Sequence, residues 1–276
     1  MITENKHITS KDGTIIGYKK TGNGEGIIIV HGGGRMAEDY EKLAEALADT
    51  YTVYVYDRRG RGTSGKISED HCIEKECEDL IALLRETGAE IVFGHSMGGI
   101  IALETACRFP ITNIAVYEPP VPFDNSLPVD FIDDFKKALK KKQYERAMAY
   151  SLKGLHMHDA AELPVWLLVI IIKTMRIIKK GTGKNWKKRM EETLPTLLTD
   201  LAVVKQLKNC YEKYRTIRSL TLLMGGSKSP AYLLQPLDKL KNIIPYATKQ
   251  VFTGFYHVAP EENALEIATT LKQFFK

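Results

Sequence analysis

Continuous runs of β-branched and aromatic residues recur along the first part of the chain, with helical spacing between them. Residues 27–30 read Ile-Ile-Ile-Val, and residues 51–56 read Tyr-Thr-Val-Tyr-Val-Tyr. Such runs are typical of strands in a parallel sheet covered by helices on both faces. In residues 68–86, apolar side chains recur every three or four positions, as on one face of a helix. The alternation predicts an α/β fold with a doubly wound, mostly parallel sheet.

This alternation is interrupted once, in the middle of the chain. Residues 121–215 have helical patterns and no convincing strand, and the alternation resumes after them. The predicted strands are residues 15–21, 27–30, 51–56, 90–94, 113–117, 219–225 and 247–252. The predicted helices outside the interruption are residues 36–48, 68–86, 97–109, 232–241 and 261–275. We therefore predict a core formed by residues 1–120 and 216–276, with a helical cap formed by residues 121–215.

Composition and charge are those of an ordinary globular protein with a basic middle section. The 276 residues are 44% hydrophobic and carry a net charge of +5. Residues 121–215 contain nineteen Lys and Arg against eleven Asp and Glu. Because no nucleic-acid-binding motif accompanies this charge, we interpret it as a solvated helical surface and expect no nucleic-acid partner.

The cysteines and the N-terminal residues bear on location. The four cysteines form no C-x-x-C pair and no metal-ligand spacing, and the first residues contain no apolar stretch of a signal peptide. Reduced cysteines are usual in cytoplasmic proteins. We therefore expect a cytoplasmic protein.

The segment with the clearest chemical meaning is residues 94–99, Gly-His-Ser-Met-Gly-Gly, which fits the pattern G-x-S-x-G. It lies between a predicted strand and a predicted helix, and that context separates the pattern from chance. A serine in so sharp a turn needs strained backbone angles, and side chains at the glycine positions would clash with the adjoining strand and helix. The pattern predicts that Ser96 is a nucleophile at the N-terminus of a helix.

Four segments in this order resemble the α/β-hydrolase family. Residues 28–34 resemble its strand and oxyanion loop, and residues 56–64 resemble the D-x-R-G-x-G-x-S loop of its esterases. Residues 94–99 are the third segment, and residues 254–260 resemble the loop that carries its catalytic histidine. The resemblance implies an α/β-hydrolase fold with a helical cap, similar to the family's serine esterases.

The resemblance also implies roles for individual residues. Ser96 is expected to be the nucleophile, and His257 the general base that takes the serine proton and returns it to the leaving group. The backbone N–H groups of Gly33 and Met97 are expected to form the oxyanion hole. Asp57 and Arg58 are expected to brace the loop behind it, and His31 and His95 to order loops without taking part in the reaction.

The acid that orients the histidine departs from the commonest pattern of the family. It usually follows the strand after the cap, but residues 222–230 contain no carboxylate. Some members, haloalkane dehalogenases among them, look similar in carrying it at the end of the strand after the nucleophile helix, where this chain has Glu118. We predict that Glu118 is the acid. Asp238, another carboxylate or the lack of any acid are the alternatives.

These residues predict a serine hydrolase that cleaves a small or medium carboxylic ester through an acyl-enzyme. Hydrolysis of a thioester, lactone, amide or carbon–carbon bond uses the same residues, and so does a cofactor-free perhydrolase. The non-enzyme alternative is a ligand-binding signalling protein of hydrolase fold, which a missing acid would favour. No cofactor is expected, and the pair His156 and His158 lacks companions for a metal site. The natural substrate and the oligomeric state are left open.

The longest apolar run, residues 163–172, is too short to span a membrane, which takes about 20 residues. Because basic residues follow it, one interpretation is an interfacial helix docked on anionic lipid. However, the run is apolar around its whole circumference, and such a helix is normally buried. We therefore expect it to pack under the cap beside the substrate pocket, without stable membrane association.

Overall fold

The computed structural model describes residues 3–123, 127–156, 159–178, 186–208 and 210–276. The strands are β1 (Glu4–Thr9), β2 (Ile15–Thr21), β3 (Glu25–Val30), β4 (Tyr51–Tyr56), β5 (Ile91–His95), β6 (Asn113–Tyr117), β7 (Leu220–Gly226) and β8 (Ala247–Phe252). The helices are α1 (Glu41–Leu47), α2 (Ile73–Thr87), α3 (Met97–Ala106), α4 (Ile132–Lys140), α5 (Tyr144–Gly154), α6 (Val165–Ile178), α7 (Trp186–Gln206), α8 (Ala231–Ile243), α9 (Ala259–Glu262) and α10 (Ala264–Phe274). Short 3₁₀ segments are Ala37–Tyr40, Asp159–Glu162 and Tyr211–Thr216.

All eight strands of the described residues form one sheet, in the order β1-β2-β4-β3-β5-β6-β7-β8. β1 and β2 form an antiparallel hairpin, and β2 pairs antiparallel with β4. Every other pairing, from β4 through β8, is parallel. The structure confirms the predicted doubly wound, mostly parallel sheet. Because the parallel strands run the same way, their carboxyl ends meet along one edge, where such folds place their sites.

The sheet is buried on both faces, as the continuous apolar runs predict. Alternate residues of β3 point to opposite sides: Ile28 joins an apolar cluster with α2, α3 and α8, and Ile29 joins a second cluster with α1 and α10. Both side chains are fully buried. Side chains at odd and even positions of one strand therefore each find an apolar environment, which explains why the sequence shows a run instead of an alternation.

The described residues between β6 and β7 contain helices and no strand. Side chains of α4, α5 and α7 meet in a small apolar cluster of their own around the fully buried Phe135. We call α4 to α7 the helical insertion. It agrees in position with the predicted helical cap, residues 121–215, although the exact division between core and cap stays a prediction.

The apolar segment before Lys173 is buried on one side only, whereas the sequence predicts burial on all sides. Leu168 and Ile172 pack on α5 and are 2% and 8% exposed, whereas Trp166 and Ile170 on the opposite side are 65% and 51% exposed. The prediction of full burial is therefore wrong. The physical reason is that α6 lies at the outside of the insertion, against α5, and no described element covers its other face. None of the described helices is long and apolar enough to cross a lipid bilayer.

Candidate active site

Ser96 lies in the sharp turn between β5 and α3, with backbone angles φ 54° and ψ −121°. These angles are strained for a residue with a side chain. The neighbouring glycines are required by close packing. A Cβ on Gly94 would lie 2.4 Å from the Gly98 carbonyl oxygen, and a Cβ on Gly98 would lie 2.0 Å from the Val30 carbonyl oxygen. Side chains at these two positions would therefore clash, as expected from the sequence. The glycines allow the sharp turn that places Ser96 at the carboxyl edge of the sheet.

Glu118 follows β6 immediately and is also strained, with φ 49°. Its Oε2 lies 2.6 Å from Nδ1 of His257, and its Oε1 accepts a 2.6 Å hydrogen bond from the Gly226 amide. Glu118 is fully buried and His257 is 2% exposed. Because a carboxylate accepts at Nδ1, the proton of the neutral imidazole belongs there and Nε2 is left as a base. The sequence prediction thus named the carboxylate that meets the histidine ring.

The alternative acid, Asp238, lies elsewhere. Its side chain is 65% exposed and forms an ion pair with Lys249. At the end of β7, just before the loop where the family usually carries the acid, the amide of Gly226 donates to Glu118. Glu118 follows β6, which is adjacent to β7 in the sheet, so its carboxylate lies one strand away from that loop.

Ser96 and His257 line the same cavity, which has a volume of about 90 Å³. Its walls are mainly apolar and come from both the core and the helical insertion. The apolar contributors include Met97, Leu127, Leu197, Leu201, Val204 and Leu233. Among the described residues, the Ser96 hydroxyl makes no hydrogen bond to the His257 ring. Such contacts are often long before substrate binds and tighten in the reacting complex.

The amides expected to form an oxyanion hole belong to residues that line this cavity, Gly33 and Met97. Met97 begins α3, so its N–H points out of the helix N-terminus without an intrahelical acceptor. Neither amide has a protein acceptor within the described part of the chain. The adjacent Gly32 amide is bound to the Tyr40 hydroxyl at 3.1 Å, which holds the loop against the 3₁₀ segment.

His95 joins this loop to the loop of His257. Its Nε2 donates to the His257 carbonyl oxygen at 2.9 Å, because a carbonyl only accepts. Nδ1 is therefore the acceptor for the Tyr40 hydroxyl, 2.5 Å away. Burial, together with the nearby His257, lowers the pKa of His95 well below its usual value, so the ring is neutral as this pattern requires. Its contacts are those of a loop-ordering residue, as expected from the sequence.

His31 has a similar place on the other side of the loop. Its Nε2 accepts from the Arg58 amide at 3.0 Å, and its Nδ1 donates to the Gly32 carbonyl oxygen at 2.9 Å. Burial, and the charges of Arg58 and Arg61, lower the pKa of His31 well below its usual value. Asp57 accepts from the amide of Ala37 at 2.9 Å, in the same region. Asp57 and the Arg58 backbone thus contact the segments around the oxyanion loop.

Sequence reasoning missed Asp200 of α7, a charged residue that lines the cavity. Its side chain forms 2.7 Å ion pairs with Arg58 and Arg61, and all three are buried. Burial alone would raise the pKa of Asp200, but the two arginines outweigh it and lower it to about 2. No local motif marks this residue, because its partners precede it by 139 and 142 positions.

The described residues contain no group of three or more His, Cys, Asp or Glu side chains placed to hold a metal ion. His156 is exposed on the insertion, and His158 lies outside the described residues.

Comparison with known proteins agrees with this geometry. The sequence pattern of the alpha/beta hydrolase family matches residues 27–265. The crystal structure of an alpha/beta hydrolase from Sphaerobacter thermophilus DSM 20745 is 32% identical, with a TM-score of 0.77, and the match covers 98% of this chain and 100% of that one. The uncharacterized hydrolase YraK of Bacillus subtilis (strain 168) is 35% identical over 113 residues, 40% of this chain and 42% of YraK. A non-heme haloperoxidase of Rhodococcus erythropolis is 30% identical over 145 residues, 48% of this chain and 53% of the haloperoxidase.

The matched region thus spans about half or less of the length of these two curated relatives, whereas the Sphaerobacter structure is matched along its whole length. The strand order, the serine elbow and the carboxylate–histidine contact are those of a hydrolase-type α/β protein. With the match over residues 27–265, they establish that the chain belongs to the alpha/beta hydrolase family.

Proposed function

We propose that this protein is a serine hydrolase that cleaves small or medium carboxylic esters through an acyl-enzyme on Ser96. The observation that carries the proposal is the buried Glu118–His257 contact of 2.6 Å beside a strained serine elbow. A protein that only binds its ligand has no need for a buried carboxylate that orients a histidine next to a serine. This contact therefore favours an enzyme over the non-catalytic alternative.

The first half of the reaction follows from the arrangement of these groups. His257 Nε2 takes the Ser96 proton while Oγ attacks the ester carbonyl carbon, and Glu118 stabilises the imidazolium. The carbonyl oxygen becomes an oxyanion and accepts hydrogen bonds from the Gly33 and Met97 amides. Donors of this kind contribute about 2.7–4 kcal/mol each. Collapse of the tetrahedral intermediate expels the alcohol, which takes the proton from His257 and leaves Ser96 acylated.

The second half repeats these steps with water. His257 removes a proton from a water molecule, whose oxygen attacks the acyl carbon. The intermediate collapses, Ser96 regains its proton from His257, and the carboxylic acid leaves. All proton transfers use residues of the chain, so the proposal includes no cofactor and no metal.

The substrate range follows from the cavity. Cavities that bind drug-sized ligands have volumes of about 300–1,000 Å³, whereas this one has about 90 Å³. Its apolar walls bind hydrocarbon by removing it from water. Both features favour short apolar acyl groups over long or charged ones.

A second candidate is a cofactor-free perhydrolase, in which hydrogen peroxide replaces water in the attack on the acyl-enzyme. The similarity to the Rhodococcus erythropolis non-heme haloperoxidase supports it. Lactone and carbon–carbon bond hydrolysis also use a serine, a histidine and an acid. These reactions share the acyl-enzyme step, and they differ in the group that enters or leaves.

The proposal also includes action in the cytoplasm on a dissolved substrate, without stable binding to a membrane. The exposed Trp166 and Ile170 make the membrane part worth a direct test. We expect the protein to stay in the supernatant when centrifuged with anionic vesicles at moderate salt. Pelleting that high salt reverses would contradict this expectation.

The test of the main proposal is a substrate panel. We expect turnover of p-nitrophenyl esters to be highest for acetate to hexanoate and to fall for longer chains, with slower hydrolysis of lactones. Peroxide added to the ester assay separates the perhydrolase, because peracid then replaces the carboxylic acid as product. No turnover of any ester by folded protein would contradict the proposal.

A further inference from the structure

A group of four charged side chains is buried between the core and the helical insertion. Arg58 donates to both oxygens of Glu76, at 3.0 and 2.6 Å, and to Asp200 at 2.7 Å. Arg61 donates to the second oxygen of Asp200 at 2.7 Å. Each side chain is at most 5% exposed. We call these four residues the buried ion cluster.

Stability alone is a poor reason for such a cluster. Removing charges from water costs nearly as much as the ion pairs return, and apolar replacements are often equally stable. Asp200 is the charged residue among the buried side chains of α7, which are otherwise apolar apart from two threonines. In some proteins a buried ion pair instead fixes one defined geometry. The cluster therefore points to a need for an exact placement of α7 on the core.

That placement concerns the oxyanion loop. A Cβ on Gly33 would lie 3.0 Å from Oδ2 of Asp200 and 3.5 Å from Leu197, so α7 rests directly on this glycine. From the other side, the Arg58 amide donates to His31, whose ring donates to the Gly32 carbonyl oxygen. The cluster therefore contacts both sides of the loop that carries the Gly33 amide.

We propose that Asp200 is a positioning residue, which holds the Gly33 amide in place by tying α7 to Arg58 and Arg61 across the oxyanion loop. The part of this proposal that concerns turnover rests on the proposed function, whereas the part that concerns the loop does not. The negative charge of Asp200 is itself unfavourable beside an oxyanion, but its two arginine partners compensate it. Position and direct charge therefore predict opposite results for its removal. If Asp200 positions the loop, its removal lowers kcat. If its negative charge acts directly on the oxyanion, its removal raises kcat.

The chain contains a matched control in the same segment. Arg59 donates to both oxygens of Asp79 at 2.8 and 2.6 Å, and both side chains are fully buried. Asp79 lies on α2 and does not line the cavity. Asp79→Asn removes the carboxylate charge beside one buried arginine, and Asp200→Asn removes it beside two. Both variants should lose thermal stability, but only Asp200→Asn should affect the oxyanion loop.

The experiment measures hydrogen–deuterium exchange of the full chain in both variants and the wild type. We expect exchange in the peptide that covers residues 31–37 to be about tenfold faster in Asp200→Asn than in Asp79→Asn, because the loop opens locally when α7 no longer holds it. Equal exchange in the two variants would overturn the proposal. If Asp200→Asn does not fold, Arg61→Lys takes its place, with the same expectation and the same contradicting result.

Kinetics give a second result that a merely structural role would not produce. A misplaced catalytic group costs up to about 100-fold in rate, so we expect kcat of Asp200→Asn to fall about 10- to 100-fold below that of Asp79→Asn with KM within about threefold. An unchanged or raised kcat would overturn the proposal. If the proposed function is wrong, the wild type hydrolyses no ester. The hydrogen–deuterium exchange of the two variants still tests whether Asp200 holds the loop.

Discussion

The carboxyl edge of the sheet and the helical insertion both line the cavity, but through different kinds of contact. At the sheet edge, Glu118, His257 and His95 are joined by hydrogen bonds of 2.6 and 2.9 Å between buried atoms. The insertion reaches the cavity through side chains such as Leu197 and Leu201. Hydrogen bonds fix atoms in direction and distance, whereas apolar contacts are non-directional and tolerate exchange. The comparison supports our proposal that the sheet edge carries the chemistry and the insertion selects the substrate.

Among the described insertion residues that line the cavity, Asp200 differs from the others in carrying a charge. It lies on the insertion, yet its contacts are ionic and lead to the loops of the sheet edge. Substitutions at the sheet edge should therefore lower kcat, and substitutions at apolar positions of the insertion should change substrate preference. Substitution of Asp200 should lower kcat, although this residue belongs to the insertion.

The largest effect is expected for Ser96→Ala, which removes the nucleophile at the sheet edge. Because triad members act as a unit, kcat for a good ester should fall by about 10⁶-fold. Ser227→Ala is the matched control, since Ser227 is exposed and its hydroxyl accepts a 2.9 Å hydrogen bond from the Gly254 amide. Initial rates with p-nitrophenyl butyrate measure both variants. A Ser96→Ala rate within about tenfold of wild type would refute the assignment.

The next largest effect is expected for Glu118→Gln. The amide cannot stabilise the imidazolium and favours the wrong tautomer of His257, so kcat should fall by about 10²–10⁴-fold. Asp238→Asn tests the alternative acid and should leave kcat unchanged, because Asp238 is exposed and paired with Lys249. The ratio of the two kcat values is the measurement. An equal loss in both variants, or a loss in Asp238→Asn alone, would show that Glu118 is not the acid.

The elbow itself is tested by stability. A methyl group on Gly98 would meet the Val30 carbonyl oxygen at 2.0 Å, and the next nearest atoms, at 2.6 and 2.8 Å, also belong to the backbone. Gly98→Ala should therefore lower the free energy of unfolding by more than about 4 kcal/mol. Gly88→Ala is the control, since Gly88 has φ 66° and no atom within 4 Å of its added methyl group. It should cost only about 1–2 kcal/mol for the backbone angle. Urea unfolding of the two variants is expected to rank them in this order, and the reverse order would argue against the packing described.

The smallest effect is expected in the insertion. Leu201→Ala should enlarge the cavity and shift the ester preference by about two carbons, with changes in kcat/KM of about 10-fold. Trp166→Ala is the control on the same insertion. The sequence predicted that residues 163–172, Trp166 among them, pack beside the substrate pocket, but the Trp166 side chain is 65% exposed and does not line the cavity. A chain-length profile that changes with Trp166→Ala and not with Leu201→Ala would reverse our view of the insertion.

The core of the fold could be predicted closely because its signals are local. Four strands have the predicted bounds: Ile15–Thr21, Tyr51–Tyr56, Asn113–Tyr117 and Ala247–Phe252. The helix predicted over residues 68–86 begins later, at Ile73, and the helix predicted over residues 261–275 is divided at Asn263 into α9 and α10. Helix ends depend on capping and on packing against neighbours, which periodicity does not contain.

The remaining features depend on contacts between distant parts of the chain. Glu118 could be named because it sits one residue past a predicted strand, but Asp200 lies inside a helix and meets its partners only in the folded protein. The exposure of α6 was missed for a related reason. Apolar residues around the whole circumference of a helix indicate burial, yet burial requires neighbours on every side, and α6 has them mainly on the side of α5.

The central claim, that Ser96 is activated as a nucleophile by the sheet edge, is tested most directly by mass spectrometry after reaction with a fluorophosphonate. We expect one phosphonyl group per wild-type chain, on the peptide that contains Ser96, and none on Ser96→Ala. Glu118→Gln should label on the same peptide but at a much lower rate. Full labelling of Ser96→Ala, or an adduct on another residue of the wild type, would contradict the account.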